Sequence, residues 1–135
     1  MKTSLIYPAK IISIGIARKP AAVYTFTANP KNLPKWASGL GGSIKKSGSQ
    51  WVADSPMGKV RIKFAQKNPF GILDHLVTLE SGQAFDNPMR VQVNGKGSEV
   101  MFTLYRLPKT SDAAFAKDAK AIRHDLAKLK SLLEK

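Results

Sequence analysis

Cysteine is absent from the 135-residue chain. That removes a disulfide scaffold, a cysteine-based zinc site and a thiol nucleophile together. Histidine is nearly absent: His75 and His124 are the only imidazoles, too few for a multi-histidine metal site. Acidic residues are scarce, 9 against 22 lysines and arginines, for a net charge of +13. No apolar run approaches the ~18 residues that span a membrane. Gly39, Gly41 and Gly42 lack the Lys-Ser/Thr ending and the following helix of a phosphate loop. No serine sits in a nucleophile elbow. Internal repeats and low-complexity tracts are also missing. Neither a metal nor a cofactor is expected.

What is present is an ordinary globular mixture, 43% hydrophobic and 23% charged, which argues against general disorder. The length suggests one domain over 1–135, with its core at about 10–134. The apolar run IISIGIA (11–17) follows Lys10, as the core of a leader would. Arg18-Lys19-Pro20 comes next instead of small cleavage-site residues, so the run reads as a strand and the expected location is cytoplasmic. Basic residues spread along the whole chain. Their densest patch is Lys59, Arg61 and Lys63, which alternate and so share one face of a strand. A solvated sheet face accounts for it; an acidic partner is the alternative.

Ile12, Ile14 and Ile16 alternate with Ser13 and Gly15 in a first strand. Pro20 opens a short helix over 21–26, Asn29-Pro30 breaks it, and KNLPKWAS forms a second with Trp36 inward. Turn signals then recur about every dozen residues, as in an antiparallel meander. They bound strands at about 43–46, 50–54, 59–66, 72–80, 84–93 and 98–107. Asn94-Gly95 is the strongest, since both positions tolerate positive φ. Pro108 ends the last strand. A helix over about 112–134 follows, capped by Ser111 or Asp112. Phe115, Ala119, Ile122, Leu126, Leu129 and Leu133 form its apolar stripe. The expected class is α+β: a curved antiparallel sheet of about seven strands wrapped on a long C-terminal helix.

Within this order, VYTFTANPKNLPKW (23–36), NPFGILDHLVTL (68–79), PMRVQVNGKGSEVMFTLYR (88–106) and DAKAIRHDLAKLKSLLE (118–134) carry a family likeness. The chain resembles the START-like or SRPBCC superfamily, with its helix-grip fold of the birch-pollen-allergen type, and especially its polyketide cyclase/dehydrase-like group. The resemblance implies a cavity between sheet and long helix that receives an apolar or aromatic small molecule. It implies no reaction, because one scaffold serves transporters, binders and cyclases.

His75 shares a face with Leu73, Val77 and Leu79, which aims it into the core or cavity. It reads as a buried neutral imidazole, a pocket donor or a general acid/base. Asp74 beside it points to the opposite face and cannot complete a dyad. His124 and Asp125, adjacent on a helix, do not face each other either. The expected ligand-binding residues are Trp36, Trp51, Ile62, Phe64, His75, Val77, Met89, Val91, Phe102, Leu104, Phe115 and Ile122. Met57 joins the apolar pattern, Val93 is expected to face inward, and Arg106 to stand at the cavity rim or reach to water. Three functions stay open: binding or transport of a small hydrophobic molecule, a cyclase- or dehydratase-like enzyme using His75, and a basic module for RNA, the ribosome or an acidic protein.

Overall fold

The structure, a computed structural model, describes residues 6–40 and 42–135. Gly41 of the expected glycine cluster lies outside them. The first strand, β1 (Ala9–Ile16), buries Ile12 and Ile16 and leaves Ile11 in solvent. Helix α1 (Pro20–Thr27) starts with proline in its first turn, where the missing N–H has no cost. Asn29 accepts a hydrogen bond from the Lys31 N–H and opens a single 3-10 turn (Pro30–Asn32). Helix α2 (Leu33–Trp36) follows at once and buries Leu33 and Trp36.

The meander contains β2 (Ile44–Ser47), β3 (Gln50–Ser55), β4 (Gly58–Phe64), β5 (His75–Leu79), β6 (Ala84–Asn87), β7 (Met89–Asn94) and β8 (Gly97–Tyr105). Among the described residues there are eight strands, one more than expected. The segment 84–93 is two strands, not one, because Pro88 has no N–H to give to a ladder. The break also changes sheets. β6 ends the order β2-β3-β4-β5-β6, whereas β7 ends the order β1-β8-β7. All pairings are antiparallel. Asp74 helps bridge the seam by accepting the Met89 N–H at 2.9 Å.

β5 begins at His75, not at residue 72. The preceding segment is held by Asn68, whose Oδ1 accepts from the Phe70 and Ile72 N–H groups and whose Nδ2 donates to the Gln66 and Ile72 carbonyls. Gly71 has φ +73°, and a Cβ there would overlap the Val91 carbonyl oxygen. Only glycine combines that angle with that approach.

Helix α3 (Asp112–Leu133) spans 22 residues, about 33 Å at 1.5 Å per residue. Ser111 caps it, accepting from the Ala114 N–H at 3.0 Å. Ala119, Leu126, Leu129 and Leu133 are buried, as their spacing predicts. The C-terminal end is fastened to β1 by polar contacts. Glu134 accepts the Ala17 N–H at 2.7 Å, Lys130 donates to the Gly15 carbonyl at 3.0 Å, and Arg18 donates to the Leu133 carbonyl at 2.7 Å. The backbone neighbours of α3 are β1, β8 and α2. A helix anchored to β1 and β8 stands off the five-stranded sheet, and the space left there is the candidate site.

Candidate functional site

A cavity of about 360 Å³ lies between α2, α3 and the inner face of the sheets. That volume is at the lower end of the ~300–1,000 Å³ typical of small-molecule pockets. Alternation along the strands supplies most of its wall: Val60 and Ile62 from β4, His75, Val77 and Leu79 from β5, Phe85 and Asn87 from β6, Phe102 and Leu104 from β8. Leu33, Trp36 and Leu40 close one side. The helix contributes Asp118, Ala121, Ile122, Asp125 and Leu126, a run of positions three and four apart on one face. Ser55 and Met57 reach in from the β3–β4 turn. Gly39, Met57, Asp118 and Ala121 are exposed, so this side forms the mouth.

His75 is a buried polar residue of the wall, 7% exposed. Its Nδ1 lies 3.0 Å from the Leu73 carbonyl oxygen. A carbonyl only accepts, so Nδ1 carries the proton and donates. Burial pushes the imidazole below its ordinary range, outweighing the Leu73 hydrogen bond and the Asp74 and Asp86 carboxylates, which pull the other way. The ring is therefore neutral, and Nε2 presents a free lone pair. Phe64 and Phe102 flank it, with ring centroids 5.1 and 6.1 Å away. Asn87 stands directly opposite on β6.

Asp74 does not join His75. Its carboxylate takes the Arg90 guanidinium through both oxygens, at 3.1 and 3.0 Å, on the far side of the sheet. The Arg90 hydrogen bond, aided by the Met89 N–H, holds the Asp74 carboxyl below the usual carboxylate range against the opposing effect of partial burial. Asp125 is also committed, accepting the Ser38 N–H and hydroxyl at 3.1 and 2.7 Å. His124 is exposed on the outer face of α3. Among the described residues, no group of three metal-ligating side chains stands together.

Of the residues singled out in the sequence, Trp36, Ile62, His75, Val77, Phe102, Leu104 and Ile122 meet around the cavity. The other five lie elsewhere. Met89 and Val91 are on β7, which the break at Pro88 places in the three-stranded sheet beneath α1, so they fill the core there. Phe64 stacks behind His75. Trp51, half-buried, pairs with Ile62 near the β2–β3 turn. Phe115 sits near the start of α3, where Lys10 and Arg106 lie 5.9 and 5.8 Å from its ring centroid. Arg106 is not at the cavity rim: it donates to the Thr110 carbonyl and pairs with Asp112 at 2.6 Å. Val93 is exposed, because β7 has passed the edge of the core as it approaches its turn, which falls at Gly95-Lys96 and not at Asn94-Gly95, since Asn94 is still paired with Gly97 and only Gly95 there takes positive φ.

Sequence reasoning missed Leu33, Leu40, Phe85, Asn87, Asp118 and Asp125 as wall residues. A signal existed for the aspartates. They are seven positions apart, which on a helix is one face, and they flank Ile122. Asn87 was hidden by reading 84–93 as one continuous strand.

No protein family matches the chain, and no curated protein is significantly similar to it in sequence. Solved structures do match. The Aha1 dimer from Colwellia psychrerythraea superposes with a TM-score of 0.74 at 20% identity, over 94% of this chain and 96% of that one. Ara h 8.0201 gives 0.70 at 12% identity, over 93% and 97%. DynU16, from the dynemicin biosynthetic locus, gives 0.71 at 12% identity, over 94% of this chain and 47% of that one. At these identities the likeness speaks for architecture alone. The chain shares their fold, the helix-grip arrangement: antiparallel sheets, short helices after the first strand, and a long C-terminal helix.

Proposed function

We propose that the protein binds a small apolar or aromatic molecule in the cavity between α3 and the sheets. The observation that carries this is the cavity itself: about 360 Å³, walled mainly by aliphatic and aromatic side chains, open to solvent and with a few polar groups inside. Such a mixture is what small-molecule sites use, apolar surface for affinity and sparse polar atoms for orientation. Through its mouth the space communicates with solvent. A guest or water therefore fills it.

A His75-dependent enzyme has less support. The Nδ1 of His75 meets a carbonyl where a catalytic histidine usually has a carboxylate, and the adjacent Asp74 is spent on Arg90. The basic-module reading rests on Lys59, Arg61 and Lys63, which are exposed on the outer face of β4. Asp54 pairs with Lys59 at 3.6 Å there, and Glu80 accepts the Lys59 N–H, so the patch is diluted by its own acids.

The test is a thermal-shift screen of apolar aromatics on the intact chain, repeated on Val77→Phe, which fills the cavity from within. Compounds that stabilise the native chain and lose their effect in the variant support the reading. Stabilisation of equal size in both places the site elsewhere.

A further inference from the structure

Resting on that reading, the charge and hydrogen-bonding character of the wall says what kind of guest fits. The chain carries 22 lysines and arginines, yet among the described residues none lines the cavity. The polar side chains of the wall are Ser55, His75, Asn87, Asp118 and Asp125. The Ser55 hydroxyl is already spent, donating to the Gly58 carbonyl at 2.8 Å and accepting the Met57 N–H at 3.1 Å. The Asn87 amide can both donate and accept, so it discriminates little. Toward the cavity the other three only accept. His75 turns its protonated Nδ1 to the Leu73 carbonyl. Its Nε2, on the far side of the ring, has no partner among the described residues and is not sealed off, so it opens to the cavity as a lone pair.

Asp118 is the free charge at the mouth, exposed on α3. The ion pairs of the described residues take Asp54, Asp74, Asp112 and Glu134, and Asp125 holds Ser38. A helical partner for Asp118 would stand three or four positions away, where the sequence has Ala114, Phe115, Ala121 and Ile122. Lys117 and Lys120 project from other faces of the helix. A lone surface carboxylate is content with water. This one borders an apolar cavity whose wall holds no cation and whose buried histidine is also an acceptor, and that conjunction favours one polarity of guest. A carboxylate entering here meets like charge at the mouth and no counter-ion within, and burying it unpaired is severely unfavourable. An ammonium carries only donors and finds acceptors. The net charge of +13 repels cations at long range, but salt screens that repulsion over about 8 Å, whereas contact with Asp118 is local.

We infer that the cavity takes an amphiphile with a cationic head, its apolar or aromatic body in the space between α3 and the sheets and its amine at the mouth beside Asp118, and that the carboxylate of the same body is excluded. The head is held by charge and hydrogen bonding, and no covalent bond is made or broken.

2-Naphthylmethylamine, 2-naphthalenemethanol and 2-naphthoate share one bicyclic body and differ at the head. At about pH 7.5 they are cationic, neutral and anionic in turn. Calorimetric titration of each into the intact chain and into Asp118→Asn, at ~0.01 M and ~1 M salt, separates the outcomes. The inference predicts the amine about threefold to fivefold tighter than the alcohol at low salt, the range of an exposed ion pair. It predicts the carboxylate weaker than the alcohol by about tenfold or more. The amine-to-alcohol ratio should fall toward unity in Asp118→Asn and again at high salt in the native chain. An amine no tighter than the alcohol, a carboxylate as tight as the amine, or a preference that survives Asp118→Asn overturns the inference, while binding of the alcohol keeps the cavity reading intact. Failure of all three to bind overturns both.

Discussion

The Leu73 carbonyl fixes the tautomer of His75, Phe64 and Phe102 pack against its ring, and burial keeps it neutral. Its folded-state pKa lies below the unfolded value of about 6.5, so the unfolded chain takes up a proton first. Stability is then full above about pH 6.5 and falls as the pH drops from there toward the folded-state value. Melting curves between pH 5 and 8 should show that fall in the native chain and a flatter profile in His75→Phe; parallel profiles would contradict it. Asp74 acts at lower pH with the same sign. Its folded pKa is depressed, so its contribution is present above about 3.8 and is lost as the pH falls through the folded value. The Asp74–Arg90 pair is partly exposed, so water screens it, and Asp74→Asn should cost no more than about 1 kcal/mol at neutral pH in urea unfolding. The inward face of His75 and the failure of the Asp74 dyad were legible from period-two alternation alone. The lack of a partner for Asp118 among the described residues was not, because whether an acid finds a cation depends on elements distant in the chain.

Among the elements, the turns divide into tolerant and strict. Gly71 and Gly95 both have positive φ, but a Cβ at Gly95 meets open space and one at Gly71 meets the Val91 backbone. Gly95→Ala should therefore cost about 1–2 kcal/mol for the left-handed angle alone, and Gly71→Ala distinctly more by the same urea titration. Equal losses would show that the 66–74 segment yields easily. Helix α3 divides in a similar way. Leu129 is fully buried over β1, so Leu129→Ala should cost about 2–5 kcal/mol. Ile122 already borders the cavity and is half-buried, so Ile122→Ala should cost less and widen the site. The helix and the hairpins were readable because apolar spacing and Gly/Asn turns are local signals. Pro88 was the exception. A lone proline within an apparent strand can sit on an edge or break the strand, and here it separates β6 from β7. That choice is made by the pairing of distant strands, beyond what a local window contains.

For the whole molecule, the order of elements gave the architecture, since a meander followed by one long amphipathic helix has few ways to bury both apolar faces. The cavity was harder to read. Its existence depends on how far α3 stands from the five-stranded sheet, a spacing fixed by contacts between distant elements: the buried leucines of α3 over β1, and at one end the ties of Lys130 to Gly15, Glu134 to Ala17 and Arg18 to Leu133. The central claim is that this gap admits a guest. The most direct measurement is backbone amide NMR during titration with 2-naphthol. The account predicts saturable shifts confined to Leu33, Trp36, Leu40, the His75–Leu79 strand, Asn87 and the Asp118–Leu126 stretch of α3. Shifts that never saturate, or that gather on the outer face at Lys59, Arg61 and Lys63, would contradict it.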